Sequence, residues 1–174
     1  MSGDAAVCFL RNLQMNIKCN FDLEKNSLVI DADGCPVAKL AAGIAKEYNV
    51  KCTIVCDTAH VFSEVSGANV VTVSQGADSA DFYIVNNIKE NDIVVTQDYG
   101  LAAMCLAKRA AVINQDGKIY SDYNIGGLLE SRAIGKKIRR SGGRTKGPKK
   151  RTAEQSENFE KVLRSMFENA KAKV

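Results

Sequence analysis

Short apolar runs alternate with amphipathic segments along this chain, which is the pattern of an α/β protein. Runs rich in Val and Ile predict five strands, over residues 27–32, 50–56, 68–74, 92–98 and 110–114. Apolar residues at helical spacing predict helices over residues 36–48, 78–89, 99–109, 122–140 and 152–172. We therefore predict an α/β fold, a three-layer α/β/α sandwich with a mostly parallel five-stranded sheet and additional C-terminal helices.

This pattern divides the chain into three parts. Residues 28–140 hold the predicted α/β domain, and residues 141–174 form a basic linker and a helix that we expect to pack on the same domain. Residues 1–27 precede the first predicted strand as an N-terminal extension. At 174 residues the chain is long enough to bury one substantial core.

Composition and the N-terminal residues predict a cytoplasmic protein. The chain is 45% hydrophobic and 25% charged, close to an ordinary soluble protein. No apolar run approaches the roughly 18 residues that a membrane-spanning helix requires. Asp4 precedes the apolar patch near the N-terminus, where a secretory signal has basic residues. We expect no membrane partner.

The cysteines and the single histidine offer little catalytic chemistry. The six cysteines include no CxxC pair, and Cys52 and Cys56 lie about 13 Å apart along a predicted strand, too far to share one ion. Most of the thiols are expected to pack as small apolar groups in a reducing compartment. His60 lies in a predicted loop, where a structural or substrate-contacting role is expected.

Carboxylates cluster where the predicted strands end. Asp31 and Asp33 follow the first strand, and Asp98 follows the fourth. Asp78 and Asp81 lie at the start of the intervening helix. Since parallel strands end at one edge of a sheet, we expect these side chains to meet there, although a single Asp at such a place is more often a cap or turn residue.

Convergence of Asp31, Asp81 and Asp98 within about 5 Å would make each ionised pair repel by roughly 3 kcal/mol at an effective dielectric constant near 20. Such a cluster becomes partly protonated or binds a hard cation, and oxygen ligands favour Mg²⁺ or Mn²⁺. The predicted metal ligands are Asp31, Asp33, Asp78, Asp81 and Asp98. Of these, Asp31, Asp81 and Asp98 are also the predicted catalytic residues. Thr96 is predicted to support them, since its hydroxyl and Asp98 point to one face.

Positive charge is concentrated in one segment. Residues 1–130 hold ten Lys and Arg against sixteen Asp and Glu, whereas residues 131–151 hold ten Lys and Arg and no acid. The segment is either a solvated helix face with a linker or a surface for a polyanion, and the absence of any compensating acid favours the second. The predicted phosphate contacts are Lys136, Lys137, Arg139, Arg140, Arg144, Lys146, Lys149, Lys150 and Arg151.

Four motifs resemble one protein family. VIDADGCPV, ADFYIVNNIKENDIVVTQDYGLA, AVINQDGKIYSDYNI and RRSGGRTKGPKKRTAEQSENFEKVL occur in this order over residues 28–170 and resemble the YaiI/YqxD family of bacterial proteins. That family is similar to PIN-like nucleases, whose acidic pocket binds Mg²⁺ or Mn²⁺. The resemblance implies that Asp31, Asp81 and Asp98 match the nuclease acids and that Asp33 matches the second acid of a DxD opening. It also implies a start near residue 28, so Met15 is an alternative start.

These observations favour a divalent-metal-dependent nuclease that acts on nucleic acid, with RNA as the expected substrate. Two alternatives stay open. A non-catalytic nucleic-acid-binding protein would carry the same basic segment beside a residual acidic pocket. A haloacid-dehalogenase-type phosphatase would use an opening like VIDADG for its nucleophile, and would need a later Lys and a second acidic motif.

Overall fold

Six strands and five helices make up the part of the chain that the computed structural model describes, residues 20–33, 35–58, 65–74, 76, 79–143 and 150–172. The strands are β1 (Ser27–Asp31), β2 (Lys51–Asp57), β3 (Asn69–Val73), β4 (Ile93–Val95), β5 (Ala111–Ile113) and β6 (Ile119–Tyr120). The helices are α1 (Ala38–Glu47), α2 (Ser79–Asn87), α3 (Tyr99–Ala107), α4 (Asp122–Arg140) and α5 (Ala153–Lys171). Every predicted strand and helix is present.

The strands form one sheet in the order β3-β2-β1-β4-β5-β6. The first five are parallel, and β6 pairs antiparallel with β5. The predicted α/β sandwich is confirmed, but the sheet has six strands instead of five. The additional strand arises because a turn at Gly117, whose φ is 79°, returns the chain beside β5.

Alternate residues of each strand face opposite helix layers, as the two-residue period of a strand requires. Leu28 and Ile30 of β1 pack in a core with α1 and α5, whereas Val29 packs in a second core with α2 and α3. Asp31, two residues after Val29, therefore points to the layer that holds α2 and α3. The sheet is covered on both sides, which gives three layers.

Helix α5 supplies large side chains to the first core. Phe159, Leu163 and Phe167 are fully buried, and the Phe167 ring lies 5.5 Å from the Phe21 ring and 5.3 Å from the Tyr48 ring between centroids. Phe21 shows that residues preceding β1 are part of the same core. No helix among the described residues is both long enough and apolar enough to cross a membrane.

A buried aspartate holds the amino end of β1. Asp92 is 1% exposed, and its carboxylate accepts hydrogen bonds from the backbone N–H of Ser27 at 2.9 Å and of Lys89 at 2.8 Å. The side-chain amide of Asn26 donates to it at 3.3 Å. Because these donors compensate the loss of hydration, this carboxylate serves the structure.

Four cysteines within the described residues, Cys35, Cys52, Cys56 and Cys105, are buried and free. Burial raises the pKa of Cys35 to about 11 and that of Cys52 and Cys105 to about 12. Thiols with such pKa values are poor nucleophiles near neutral pH. The predicted packing role is confirmed for these four residues.

Replacement of glycine by alanine is expected to have opposite effects on stability at two positions. Gly43 lies inside α1 with nothing within 4 Å of an added Cβ, so Gly43→Ala is expected to stabilise the protein by about 0.5–1 kcal/mol. At Gly117 the positive φ disfavours alanine, and the new Cβ would lie 3.0 Å from the Phe159 Cα. We expect Gly117→Ala to destabilise by more than about 1 kcal/mol, as measured by urea unfolding. Equal effects at the two positions would contradict this prediction.

Candidate active site

A cleft of about 470 Å³ opens at the carboxyl ends of the parallel strands. The cleft lies where β1 and β4 are neighbours in the sheet. From β1 the following strands are added on one side, and from β4 they are added on the other. Open α/β sheets bind ligands at such a point. The charged residues that line it are Asp31, Asp33, Asp57, Asp81, Asp98 and Arg132. Five carboxylates and one guanidinium give this lining a formal charge of −4 when all are ionised.

Strand register explains why the acids face the same way. Asp31 ends β1 and Asp57 ends β2, and each comes two residues after a valine of the second core, Val29 or Val55. Thr96 follows Val94 of β4 in the same way. All three side chains therefore point to the side of the sheet that α2 and α3 cover, at the ends of the strands or, for Thr96, just beyond.

Asp31 is the most buried acid of the cleft, at 6% exposure. Its Oδ2 accepts a hydrogen bond of 2.6 Å from the Thr96 hydroxyl, and its Oδ1 accepts one of 3.4 Å from the backbone N–H of Asp33. Burial raises the pKa of Asp31, and the nearby charges of Asp33 and Asp98 add to the increase, while the two hydrogen bonds oppose it. Ionisation of Asp31 therefore costs more free energy in the folded protein than in the unfolded chain.

Thr96 connects the ends of β1 and β4. Its hydroxyl donates to Asp31 and accepts from the backbone N–H of Asp98 at 3.0 Å. The residue is 1% exposed, so both bonds are shielded from water. Thr96 thus fixes the relative position of two acids that are far apart in sequence.

Asp98 begins α3 as its N-cap residue. Its Oδ1 accepts from the backbone N–H of Gly100 at 2.6 Å and of Leu101 at 3.2 Å, and its Oδ2 pairs with Arg132 Nη1 at 2.7 Å. Burial alone would raise the pKa of Asp98, but the hydrogen bonds from Arg132 and the two amides hold it below the usual value. The Arg132 guanidinium also lies 6.0 Å from the centre of the Tyr99 ring.

The other acids complete the rim of the cleft. The Asp33 carboxylate accepts from the backbone N–H of Asp57 at 3.3 Å, and the Gln97 amide donates to the Asp33 carbonyl oxygen at 3.3 Å. These bonds join the loops that follow β1 and β4 to the end of β2. Asp81 lies in the first turn of α2 and lines the same cleft.

The structure brings together four of the five aspartates predicted as metal ligands, and Thr96 with them. Asp78 and His60 lie outside the described residues. Sequence reasoning missed Asp57 and Arg132. Asp57 carried the same signal as Asp31, since it directly follows an apolar strand. Arg132 belongs to the basic segment but precedes the predicted phosphate contacts.

The donor atoms of the cleft suit a hard cation in type. Mg²⁺ and Mn²⁺ prefer carboxylate oxygens, and the five aspartates offer only these. In residues 20–33, 35–58, 65–74, 76, 79–143 and 150–172, however, no three His, Cys, Asp or Glu side chains are grouped closely enough to hold an ion. Asp98 Oδ2 faces Arg132 instead. A shared metal ion at these acids stays a prediction.

The basic residues of the sequence prediction fall into four sets, the last of which is Arg151 alone. Lys136, Lys137, Arg139 and Arg140 are exposed in the last turns of α4. Lys150 is exposed before α5, while Arg144, Lys146 and Lys149 lie outside the described residues. Contacts between these side chains and phosphate stay predictions.

Arg151 makes structural contacts. Its guanidinium pairs with Asp116, donates to the Gln115 carbonyl oxygen at 2.6 Å and donates to the Ser156 hydroxyl at 3.3 Å. These bonds tie the start of α5 to the turn between β5 and β6. A phosphate contact by Arg151 would require it to give up these partners.

Comparison with known proteins identifies relatives over most of the chain. The sequence profile described as "Uncharacterized BCR, YaiI/YqxD family" matches residues 29–169. A UPF0178 protein of Exiguobacterium sibiricum is 52% identical over 131 residues, which are 75% of this chain and 89% of the relative. A UPF0178 protein of Clostridium acetobutylicum is 40% identical over 146 residues, covering 83% of this chain and 98% of the relative. No solved structure shows a significant match.

Proposed function

The chain belongs to the YaiI/YqxD family, and on that premise we propose that it is a divalent-metal-dependent nuclease that hydrolyses phosphodiesters in the acidic cleft, with RNA as the expected substrate. The observation that carries the proposal is the concentration of five aspartates around one cleft at the ends of parallel strands. Phosphodiesters are anions, so a cleft of this charge accepts one only when cations intervene. The basic segment beside it supplies attraction for a polyanion.

Asp31, Asp81 and Asp98 are the residues that would hold the metal ion, and Asp33 and Asp57 would support them. When bound, Mg²⁺ or Mn²⁺ neutralises charge on phosphoryl oxygens and makes water a stronger nucleophile. The similarity of the YaiI/YqxD family to PIN-like nucleases supports the same assignment.

The protein's own contribution is to fix the acids before substrate arrives. The Thr96 hydroxyl orients the Asp31 carboxylate, and the amides of Gly100 and Leu101 orient that of Asp98. Groups held in place this way need little reorganisation when charge develops during reaction.

A second candidate function is nucleic-acid binding without catalysis. It is favoured by the Arg132 side chain, which already neutralises Asp98 and occupies the position where a metal ion would meet that carboxylate. Binding that weakens steeply with salt, without cleavage under any divalent metal, would select this function. The phosphatase alternative has less support, because the described lining of the cleft contains Arg132 but no lysine.

The proposed function predicts different results for two matched aspartates. Asp81 and Asp122 each lie in the first turn of a helix, but only Asp81 lines the cleft. Substitution by asparagine removes a comparable interaction with the helix dipole at both positions. In an assay of Mn²⁺-dependent cleavage of single-stranded RNA, we expect Asp81→Asn to reduce the rate by about 100-fold or more and Asp122→Asn to change it by less than about twofold.

Three outcomes would reject the proposal. The first is equal rates in the wild type and both variants, which would place any cleavage outside the cleft. The second is the complete absence of cleavage with Mg²⁺ and Mn²⁺. The third is cleavage that continues unchanged when the divalent ions are chelated.

A further inference from the structure

One face of α4 changes from apolar to basic as the helix passes the acidic cleft. With 3.6 residues per turn, Arg132, Lys136 and Arg139 lie on one side of the helix, within about 60° of one another. Ile125 and Leu128 precede them on the same side. We call the side that carries Arg132, Lys136 and Arg139 the Arg132 face.

Contacts in the first part of this series, from Ile125 to Arg132, show where the Arg132 face points. Ile125 and Leu128 are partly buried against the core formed with α3. One turn later, Arg132 reaches Asp98 at 2.7 Å. Because the helix is continuous to Arg140, Lys136 and Arg139 extend from the mouth of the cleft in steps of about one turn, roughly 5.4 Å along the axis.

The outer side of α4 has a different character. Tyr123, Ile134 and Ile138 are exposed there, at 101%, 52% and 40%. Lys137 is rotated by about 100° from Lys136 toward this outer side, near the direction of Glu130. The helix therefore offers two neighbouring lysines of equal charge, only one of which belongs to the series that starts at the cleft.

We propose that the Arg132 face binds the phosphates of a single-stranded nucleic acid and leads the strand into the acidic cleft, with Arg132 leaving Asp98 to bind the phosphate at its mouth. The inference deepens the proposed function and rests on it for the class of ligand. Arginine binds phosphate oxygens through two parallel hydrogen bonds. Its guanidinium is suited to the exchange, because the Arg132 side chain is 53% exposed and its ion pair with Asp98 is screened by water.

The size of the cleft favours a single strand. A volume of about 470 Å³ is that of a site for one small-molecule ligand, which accommodates a nucleotide or two but not a duplex. The charges of the Arg132 face are spaced by a helical turn, a distance comparable to that between successive phosphates of an extended strand. Contacts of this kind bind the backbone without selecting a base sequence.

Binding measured without divalent ions tests the inference separately from catalysis. A fluorescent single-stranded RNA of about 12 nucleotides is titrated in the presence of a chelator with the wild type and with Arg132→Gln, Lys136→Gln and Lys137→Gln. Loss of one phosphate contact lowers the salt slope by about 0.7, so Arg132→Gln and Lys136→Gln are each expected to raise Kd about fivefold at about 0.1 M salt. Charge alone places Lys137 among the predicted phosphate contacts, but it does not belong to the Arg132 face because it lies on the outer side of α4. Lys137→Gln removes the same charge as Lys136→Gln and is expected to change Kd by less than about twofold.

The outcomes separate this inference from the proposed function. Equal effects of Lys136→Gln and Lys137→Gln would overturn the Arg132 face, even if metal-dependent cleavage is observed. The expected difference between these variants, in a protein that cleaves nothing, would support the face and reject the nuclease. Equal affinity for polyglutamate, with the same response to the variants, would overturn nucleic acid as the ligand.

Discussion

Asp31→Asn is expected to lower the rate of Mn²⁺-dependent RNA cleavage by about three orders of magnitude while it raises the free energy of unfolding. Activity falls because asparagine offers one neutral oxygen, whereas the proposed function requires the buried Asp31 carboxylate to bind a cation. The variant retains the shape of the side chain, and its amide oxygen can still accept the bond from Thr96. The loss of rate would therefore report charge and not a collapsed site.

The Asp31→Asn variant is expected to be more stable than the wild type because ionisation of the buried Asp31 destabilises the folded protein. Burial raises its pKa in the folded protein above the ordinary value of 3.8, so folding favours the protonated form. As pH rises from the ordinary pKa through the raised pKa, the unfolded chain loses this proton more readily than the folded protein, and wild-type stability falls. The asparagine variant has no such group. Its advantage should be absent below pH 3.8 and should grow as the pH rises through the raised pKa.

Urea unfolding in the presence of a chelator, repeated across this pH range, measures the predicted difference. The chelator is needed because a bound metal ion would stabilise the wild type alone. A variant that is less stable than the wild type near neutral pH would show that the Asp31 carboxylate stabilises the fold. Full cleavage activity in Asp31→Asn would show that the reaction occurs elsewhere.

Phe167→Ala is expected to have the largest effect on stability, a loss of about 3–5 kcal/mol. The side chain is fully buried and its ring contacts those of Phe21 and Tyr48, so truncation leaves a cavity between α5, α1 and the segment before β1. A domain of this size is typically stable by about 5–15 kcal/mol, so this loss is a large fraction of the total. The midpoint of urea unfolding provides the measurement.

Phe82→Ala is the matched control for this substitution. Phe82 is 60% exposed on α2, and its replacement is expected to change the free energy of unfolding by no more than about 0.5 kcal/mol. Similar losses at the two positions would mean that the change reflects a general effect of removing an aromatic ring. A small effect of Phe167→Ala would contradict the described packing of α5.

The sequence predicts the acidic end of the sheet because two independent regularities agree there. Apolar strands stop at polar residues, and parallel strands end at a common edge, so Asp31 and Asp98 can be placed together without coordinates. The same rule applies to Asp57, because the apolar strand VKCTIVC runs directly into this aspartate.

Arg132 illustrates what a pattern in the sequence cannot supply. It lies 34 residues after Asp98, on a helix whose rotation about its own axis depends on how Ile125 and Leu128 pack. Charge counting identifies the basic segment but gives every cation in it equal weight. The partnership of Arg132 with one particular carboxylate, and the commitment of Arg151 to Asp116 and Gln115, emerge only from tertiary packing.

The two ends of β1 show another distinction that the sequence pattern does not reveal. Asp92, beside its amino end, is as buried as any acid of the protein that the structure describes, yet it is saturated with hydrogen bonds from Ser27, Lys89 and Asn26. Asp31, at its carboxyl end, faces a cleft. Both aspartates adjoin short apolar strands, so the local pattern does not distinguish a structural carboxylate from a candidate ligand.

The position of α5 has a consequence for how the protein is made. Helix α5 covers the side of β1 that carries Leu28 and Ile30, through Phe159, Leu163 and Phe167. The ribosome adds these three residues long after it has added β1. At about 5–20 residues per second, the interval lasts on the order of 10 s, during which this apolar surface lacks the cover of α5. A nascent chain therefore exposes a hydrophobic surface to chaperones until α5 emerges. All the residues that line the cleft are synthesised before α5, which contributes none of them.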